Sequence, residues 1–277
     1  MRGNLLRVFL GIALLSGTPA LPDDITIKPL QQLAPADEIH IWLTHYNKHF
    51  APASVAADSV PLRDKNGKSL GLSVSPRDFC YGAMEGTLVV RSGPTSNVYN
   101  ADGLAGVSLV DCSKFYPHSN VRIRLGRQAF VKLGANAPDG RGVLTYRLVP
   151  DRTIAVSNTT IPYGTVLFIP QLKKDGVATV SGARAHDGYV FAADTGGSMN
   201  GCHVDYFTGG RAIDPDATMT SSKAHPRAIV AYVVHDPEIR NKLIALHNLS
   251  LTTPVIRPIA RSACKATTIP PYPPGES

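Results

Sequence analysis

The sequence predicts a mainly β protein, a closed barrel or sandwich with a few peripheral helices. From residue 86 onward, short runs rich in Val, Ile, Thr and aromatics recur at 87–91, 107–110, 121–125, 145–148, 153–156, 165–169, 188–193, 203–207 and 228–234. Gly, Pro, Asn and Asp separate them, a pattern of many short strands that suggests a closed barrel or sandwich rather than βαβ units. Helical signals are confined to three places, at 37–50, at 76–85 and after 236.

Taken in order, residues 37–50 carry Ile39, Leu43, Tyr46 and Phe50 at helical spacing behind Asp37 as a cap, so a packing helix is expected, with His40, His45 and His49 on its solvated side. Val60–Leu62 and Ser69–Leu72 flank Asp64-Lys65-Asn66-Gly67, where Asn-Gly marks a hairpin turn. The next helix is signalled at both ends. Ser75 is a natural N-cap, Pro76 fits the first helical position, Asp78 completes a capping box and Gly86 is a left-handed stop. Phe79, Cys80, Ala83 and Met84 are expected to form its buried face. A last helix starts at Asp236-Pro237-Glu238 with Ile239, Leu243 and Leu246 on one side, and residues 269–277 form a Pro-rich tail.

Residues 1–20 differ from the rest: Arg2 and Arg7, an apolar run over 5–15, and a small-residue end, with cleavage after Ala20 or Gly17. They read as a secretory signal peptide, which implies a periplasmic or extracellular protein. The apolar run is shorter than the ~20 residues needed to span a bilayer, and no cysteine near it suggests a lipid anchor, so no stable membrane anchor is expected. Loss of Arg2 and Arg7 takes the formal charge from +7 to +5. That charge is dispersed, without a basic block or interleaved aromatics, which argues against nucleic acid and suits an anionic cell-wall polymer. Cys80, Cys112, Cys202 and Cys264 in an exported chain imply two disulfides. Of three pairings, Cys80 with Cys112 and Cys202 with Cys264 is favoured because sequence neighbours most often meet.

The candidate site lies in 191–207, FAADTGGSMNGCHVDYF, where two strand-like runs flank a glycine-rich loop with Asp194 and Asp205 at its ends. Asp194 stands at a sharp turn where backbone N–H groups can reach it, which would lower its pKa. Strand alternation puts His203, Asp205 and Phe207 on one face, and a carboxyl beside an aromatic ring on a partly dry face suits a general acid. Glu85, in the last turn of its helix, faces unpaired carbonyls that would raise its pKa, although a structural role is the commoner outcome. Other readings compete. Asp194-Thr195-Gly196 looks like half an aspartic protease but has no second copy. His186, Asp187, Asp194, Cys202 and His203 match no usual metal-ligand spacing, so no metal is expected. A plain structural hairpin remains possible on spacing alone.

The string RTIAVSNTTIP at 152–162, followed by Tyr163-Gly164-Thr165 and later by ADTGGSMNGCHVDYFTG, resembles the three-aspartate (3D) domain. That domain is the catalytic barrel of lytic transglycosylases of the membrane-bound A type. The resemblance is strong over 144–209 and weaker back to residue 60. It implies a double-psi β-barrel, expected over 86–235, with the helical and hairpin region read at 21–85 before it and the helix and tail read at 236–277 after it. It also implies cleavage of peptidoglycan glycan strands without a cofactor, and a monomer is expected. Asp205 matches the family's catalytic acid/base and Asp194 the aspartate of its DTGG motif. The first family aspartate is replaced by Ser157, and the usual apolar-Lys pair by Met199-Asn200. Ser157, Gly197, Asn200, His203 and Glu85 are the expected substrate-binding positions.

Overall fold

The computed structural model describes residues 34–119, 121–173, 186–210, 220–221, 227–249 and 264. The expected signal peptide and Pro-rich tail lie outside the described residues. In chain order the elements are β1 Glu38–Tyr46, β2 His49–Pro52, β3 Val60–Arg63, β4 Ser69–Val74, α1 Pro76–Glu85, β5 Thr87–Ser92, β6 Thr95–Leu104, α2 Val121–Arg124 and β7 Gln128–Lys132. There follow β8 Thr153–Val156, β9 Val166–Phe168, β10 Tyr189–Asp194, β11 His203–Phe207, β12 Ile229–Val233 and α3 Pro237–His247.

Six strands close a barrel in the order β1-β11-β8-β10-β9-β12, sealed by antiparallel β12 and β1. Two pairs, β1 with β11 and β8 with β10, are parallel and the rest antiparallel. The mainly β, double-psi barrel expected from the sequence is thus present. Alternation decides what faces in. Ile39, Ile41 and Leu43 of β1 join Ile154, Val156, Val190, Ala192, Val204, Tyr206 and Ala231 in the barrel interior. The outer face carries Phe191 and Ala193 of β10, which pack with Ile239, Leu243 and Leu246 of α3. The Asp236 side chain accepts from the Ile239 N–H to cap that helix.

A second sheet, β2-β5-β6-β7, stands beside the barrel with the β3-β4 hairpin and α1 packed on it. Its core joins Leu62, Val74, Phe79, Leu88, Val90, Tyr99 and Phe130 around the Cys80–Cys112 disulfide. The end signals for α1 hold, while Met84, expected on its buried face, is exposed. The Asp78 N–H donates to Ser75 Oγ at 3.1 Å, and Gly86, at φ 78°, closes the helix with its N–H on the Gly82 carbonyl. The Cys202–Cys264 disulfide is also present. Among the described residues, no helix is long and apolar enough to cross a membrane.

Three expectations are corrected. Residues 37–50 form β1 and β2, not a helix. Ile39, Leu43, Tyr46 and Phe50 fit helical spacing, but Ile39, Ile41 and Leu43 also repeat every second residue, and strand pairing on both sides of β1 decides between the two patterns. Residues 121–125 form the short helix α2, while 107–110 is a loop and 145–148 makes isolated bridges. The barrel does not occupy 86–235: residues 87–132 build the second sheet, and β1 from the N-terminal region supplies a barrel strand.

Candidate active site

A cleft of about 930 Å³ runs between the barrel's outer face and the second sheet. Thr44, Tyr46, Ala155, Asp194 and Asp205 form its barrel wall, and Glu85, Thr87, Asn100, Tyr116 and Gln128 its other wall. Arg141-Gly142-Val143 and the glycine loop 195–199 close its edges.

Strand register places the two aspartates. Asp205 pairs with Ala155 on one side of β8, and Asp194 pairs with Ala155 on the other. By simple alternation Asp194 would follow Val190 and Ala192 into the barrel. The register shift between Ala192 and Asp194 inserts one residue and turns Asp194 outward, a bulge re-aiming a side chain. The displaced Ala193 carbonyl accepts from the Val143 N–H at 2.9 Å. That approach requires Gly142, since a Cβ there would sit 2.1 Å from the same oxygen.

The sequence gives no direct hint that β1 and the residue that follows it hold all three carboxyls of the cleft. Thr44, opposite Asp205 in the parallel register, donates its hydroxyl to Asp205 Oδ1 at 2.7 Å. Tyr46 donates to Asp194 Oδ2 at 2.7 Å, and the Asn47 N–H to Glu85 Oε2 at 2.9 Å. Burial pushes Asp194 up to about 6, which overturns the lowered pKa expected from the sequence: the hydrogen bonds from Tyr46 and Thr195 do lower it, but by less than burial raises it. Burial likewise moves Glu85 to about 7, so desolvation accounts for its shift where the sequence pointed to the helix terminus. Burial and the Asp194 charge keep the Tyr46 hydroxyl protonated.

Among the predicted positions, Asp194, Asp205, Glu85 and Gly197 line the cleft, whereas Ser157, Asn200 and His203 do not. Ser157 sits in the turn after β8, its hydroxyl with Thr159 and its carbonyl accepting from Thr160 and Ile161. Asn200 donates to Ser198 within its own loop. His203 lies beneath the wall, stacked on Trp42 with centroids 3.6 Å apart, and burial depresses its pKa to about 3. Thr44, Tyr46 and Asn47 were missed because a helical reading of 37–50 scatters them. Period-two alternation through Trp42, Thr44 and Tyr46 was the signal that could have found them. Among the described residues, no group of three or more His, Cys, Asp or Glu could hold a metal ion.

The 3D domain family matches residues 152–215, which span both aspartates. Residues 152–215 carry a 3D domain. The 3D domain supplies Asp194 and Asp205, while β1 and α1, which hold Thr44, Tyr46 and Glu85, lie outside it. The solved structures similar to this chain include Escherichia coli MltA with bound chitohexaose, at 16% identity, covering 70% of this chain and 71% of that one with a TM-score of 0.48. Neisseria gonorrhoeae MltA is 13% identical over 71% and 72%, with a TM-score of 0.43. A membrane-bound lytic murein transglycosylase from Agrobacterium tumefaciens is 14% identical over 76% of each chain, with a TM-score of 0.40. By sequence, no curated protein matches the chain.

Proposed function

We propose that this protein is a peptidoglycan lytic transglycosylase, with Asp205 as general acid and then base. The observation that carries the reading is the placement of Asp205: within the 3D domain, on the wall of the cleft of about 930 Å³, with one oxygen held by Thr44. Protonated Asp205 donates to the glycosidic oxygen between N-acetylmuramic acid and N-acetylglucosamine as the C1–O4 bond breaks. The Asp205 carboxylate then takes the proton of the muramic O6 hydroxyl as O6 closes on C1. The proton lost by O6 equals the proton gained by O4, and the product is a 1,6-anhydro sugar.

Because the nucleophile belongs to the substrate, no water-activating carboxylate is needed, unlike the paired carboxyls of ordinary glycosidases. Asp194, fixed by Tyr46, adds negative charge near an oxocarbenium-like sugar when ionised and holds the glycine loop. Two disulfides in the chain fit an exported protein, the compartment in which peptidoglycan lies. One observation favours a second reading: Glu85 faces the same cleft with a pKa near 7 and could serve a hydrolase as the second carboxyl.

Digestion of purified peptidoglycan followed by mass spectrometry tests the proposal. The expected outcome is anhydro-muropeptides from the wild type and at least about a hundredfold fewer from Asp205→Asn. Reducing ends in their place would identify a hydrolase. Retention on insoluble peptidoglycan without turnover would identify a glycan-binding barrel.

A further inference from the structure

We propose that Thr44, held from behind by His203, is a positioning residue that fixes Oδ1 of Asp205 as a hydrogen-bond acceptor and so assigns the transferable proton to Oδ2. This rests on the reading of Asp205 as the acid/base.

The argument follows from counting hydrogens. Thr44 Oγ1 lies 2.7 Å from Asp205 Oδ1 and 2.6 Å from His203 Nε2. A hydroxyl has one hydrogen to donate, and an ionised carboxylate can only accept. The Thr44 hydrogen therefore goes to Oδ1, and Thr44 can meet His203 only as an acceptor. His203 must then carry its hydrogen on Nε2. Its Nδ1 is buried and meets no hydrogen-bond partner among the described residues. A bare ring nitrogen tolerates that better than an N–H, because orphaned buried donors are rare in native structures.

Geometry holds the relay in place. Trp42 pairs with His203 and Thr44 with Asp205 in the parallel register of β1 and β11, and the Trp42 ring lies within 9° of parallel to the imidazole. Reversal of the chain, with Asp205 donating to Thr44 and Thr44 to His203, would place a hydrogen on Nδ1 in the buried pocket. When Asp205 takes up a proton, Oδ1 therefore stays an acceptor and Oδ2 receives it. The other ionisable groups lining the cleft are His45 and Tyr46 on β1, Asp194 on β10, Arg141 before β8, and Glu85 and Tyr116 across the cleft. A change at Thr44 alters none of them chemically.

Thr44→Val keeps the shape of the side chain and removes the hydroxyl. On solubilised glycan strands kcat should fall roughly tenfold to a hundredfold, the range for a hydrogen bond to a charged group. KM should change little, because the lost contact is to the catalytic group and not to substrate. Asp205 must be protonated to act as acid, and Thr44 favours its ionised form, so the high-pH limb of the kcat profile should move upward in Thr44→Val. Thr44→Ser should restore both kcat and the limb. Nitrogen-15 NMR of the wild type supplies a readout that needs neither activity nor a folded variant: His203 should be neutral with hydrogen on Nε2. A hydrogen on Nδ1, or a Thr44→Val profile matching wild type, overturns the positioning role and leaves Asp205 as the acid. Absence of anhydro product from the wild type overturns both.

Discussion

At the scale of single residues, the cleft holds carboxyls that burial moves towards neutrality. Glu85 rises from 4.5 to about 7 and Asp194 from 3.8 to about 6. Between about pH 4 and 7 the folded protein thus binds more protons than the unfolded chain. Stability is fully present below the unfolded values and is lost as pH rises through 6 and 7. Glu85→Gln removes its part of this slope while the amide oxygen can still accept from Asn47. The variant should lose less stability than wild type between pH 5 and pH 8. The difference is at most about 3 kcal/mol, reduced by the solvent that reaches an open cleft. Urea midpoints at the two pH values measure it, and identical slopes would contradict a buried Glu85. Asp194 and Asp205 were legible because their types and spacing are local features. Glu85 was legible as a suspect but for a secondary reason, since its desolvation depends on Asn47 and on the barrel wall opposite.

At the scale of elements, β10 shows how a local irregularity serves the site. Its bulge turns Asp194 out of the barrel, and Val143 takes up the carbonyl that the bulge displaces. Gly142→Ala would place a methyl 2.1 Å from that carbonyl oxygen, which is backbone and cannot swing aside. Such overpacking should cost about 1–3 kcal/mol. It should also lower turnover on peptidoglycan by disturbing Asp194. A denaturant midpoint together with anhydro-muropeptide yield checks both, and an unchanged midpoint would show that the segment shifts freely. Caps and turns were read correctly because Ser75, Pro76, Asp78, Gly86 and Asn66-Gly67 act within a few residues of themselves. The bulge was not, because nothing in Phe191-Ala192-Ala193-Asp194 distinguishes a regular strand from a shifted one.

For the whole molecule, the cleft exists because the chain crosses from the barrel to the second sheet at residues 47 and 48. The Asn47 N–H reaches Glu85, the Lys48 N–H reaches the Gly209 carbonyl, and the Lys48 ammonium pairs with Asp139. On the far wall, the Cys80–Cys112 disulfide ties α1 to the turn in which the Tyr116 N–H donates to the Cys112 carbonyl. Cys80→Ser with Cys112→Ser should destabilise the protein by about 2–4 kcal/mol. It should raise KM for glycan strands more than it lowers kcat, because it loosens the wall opposite Asp205 and leaves the Thr44–Asp205 pair alone. Denaturant unfolding and steady-state kinetics test this, and a loss confined to kcat would count against the role of that wall.

The chain's local chemistry was enough to establish a strand-rich protein, both ends of α1 and the start of α3, the strands carrying Asp194 and Asp205, the neighbour pairing of the cysteines and the resemblance to a 3D domain. Those features depend on residue type, capping and short-range periodicity. Tertiary structure decided that residues 38–46 are a strand, that 87–132 form a wall apart from the barrel, and that Thr44 and Tyr46 hold the two aspartates. Thr44 and Asp205 are 161 residues apart in sequence. Their meeting depends on which strand lies beside β1, and Ile39, Leu43 and Tyr46 satisfy helical spacing until that partner supplies the backbone hydrogen bonds.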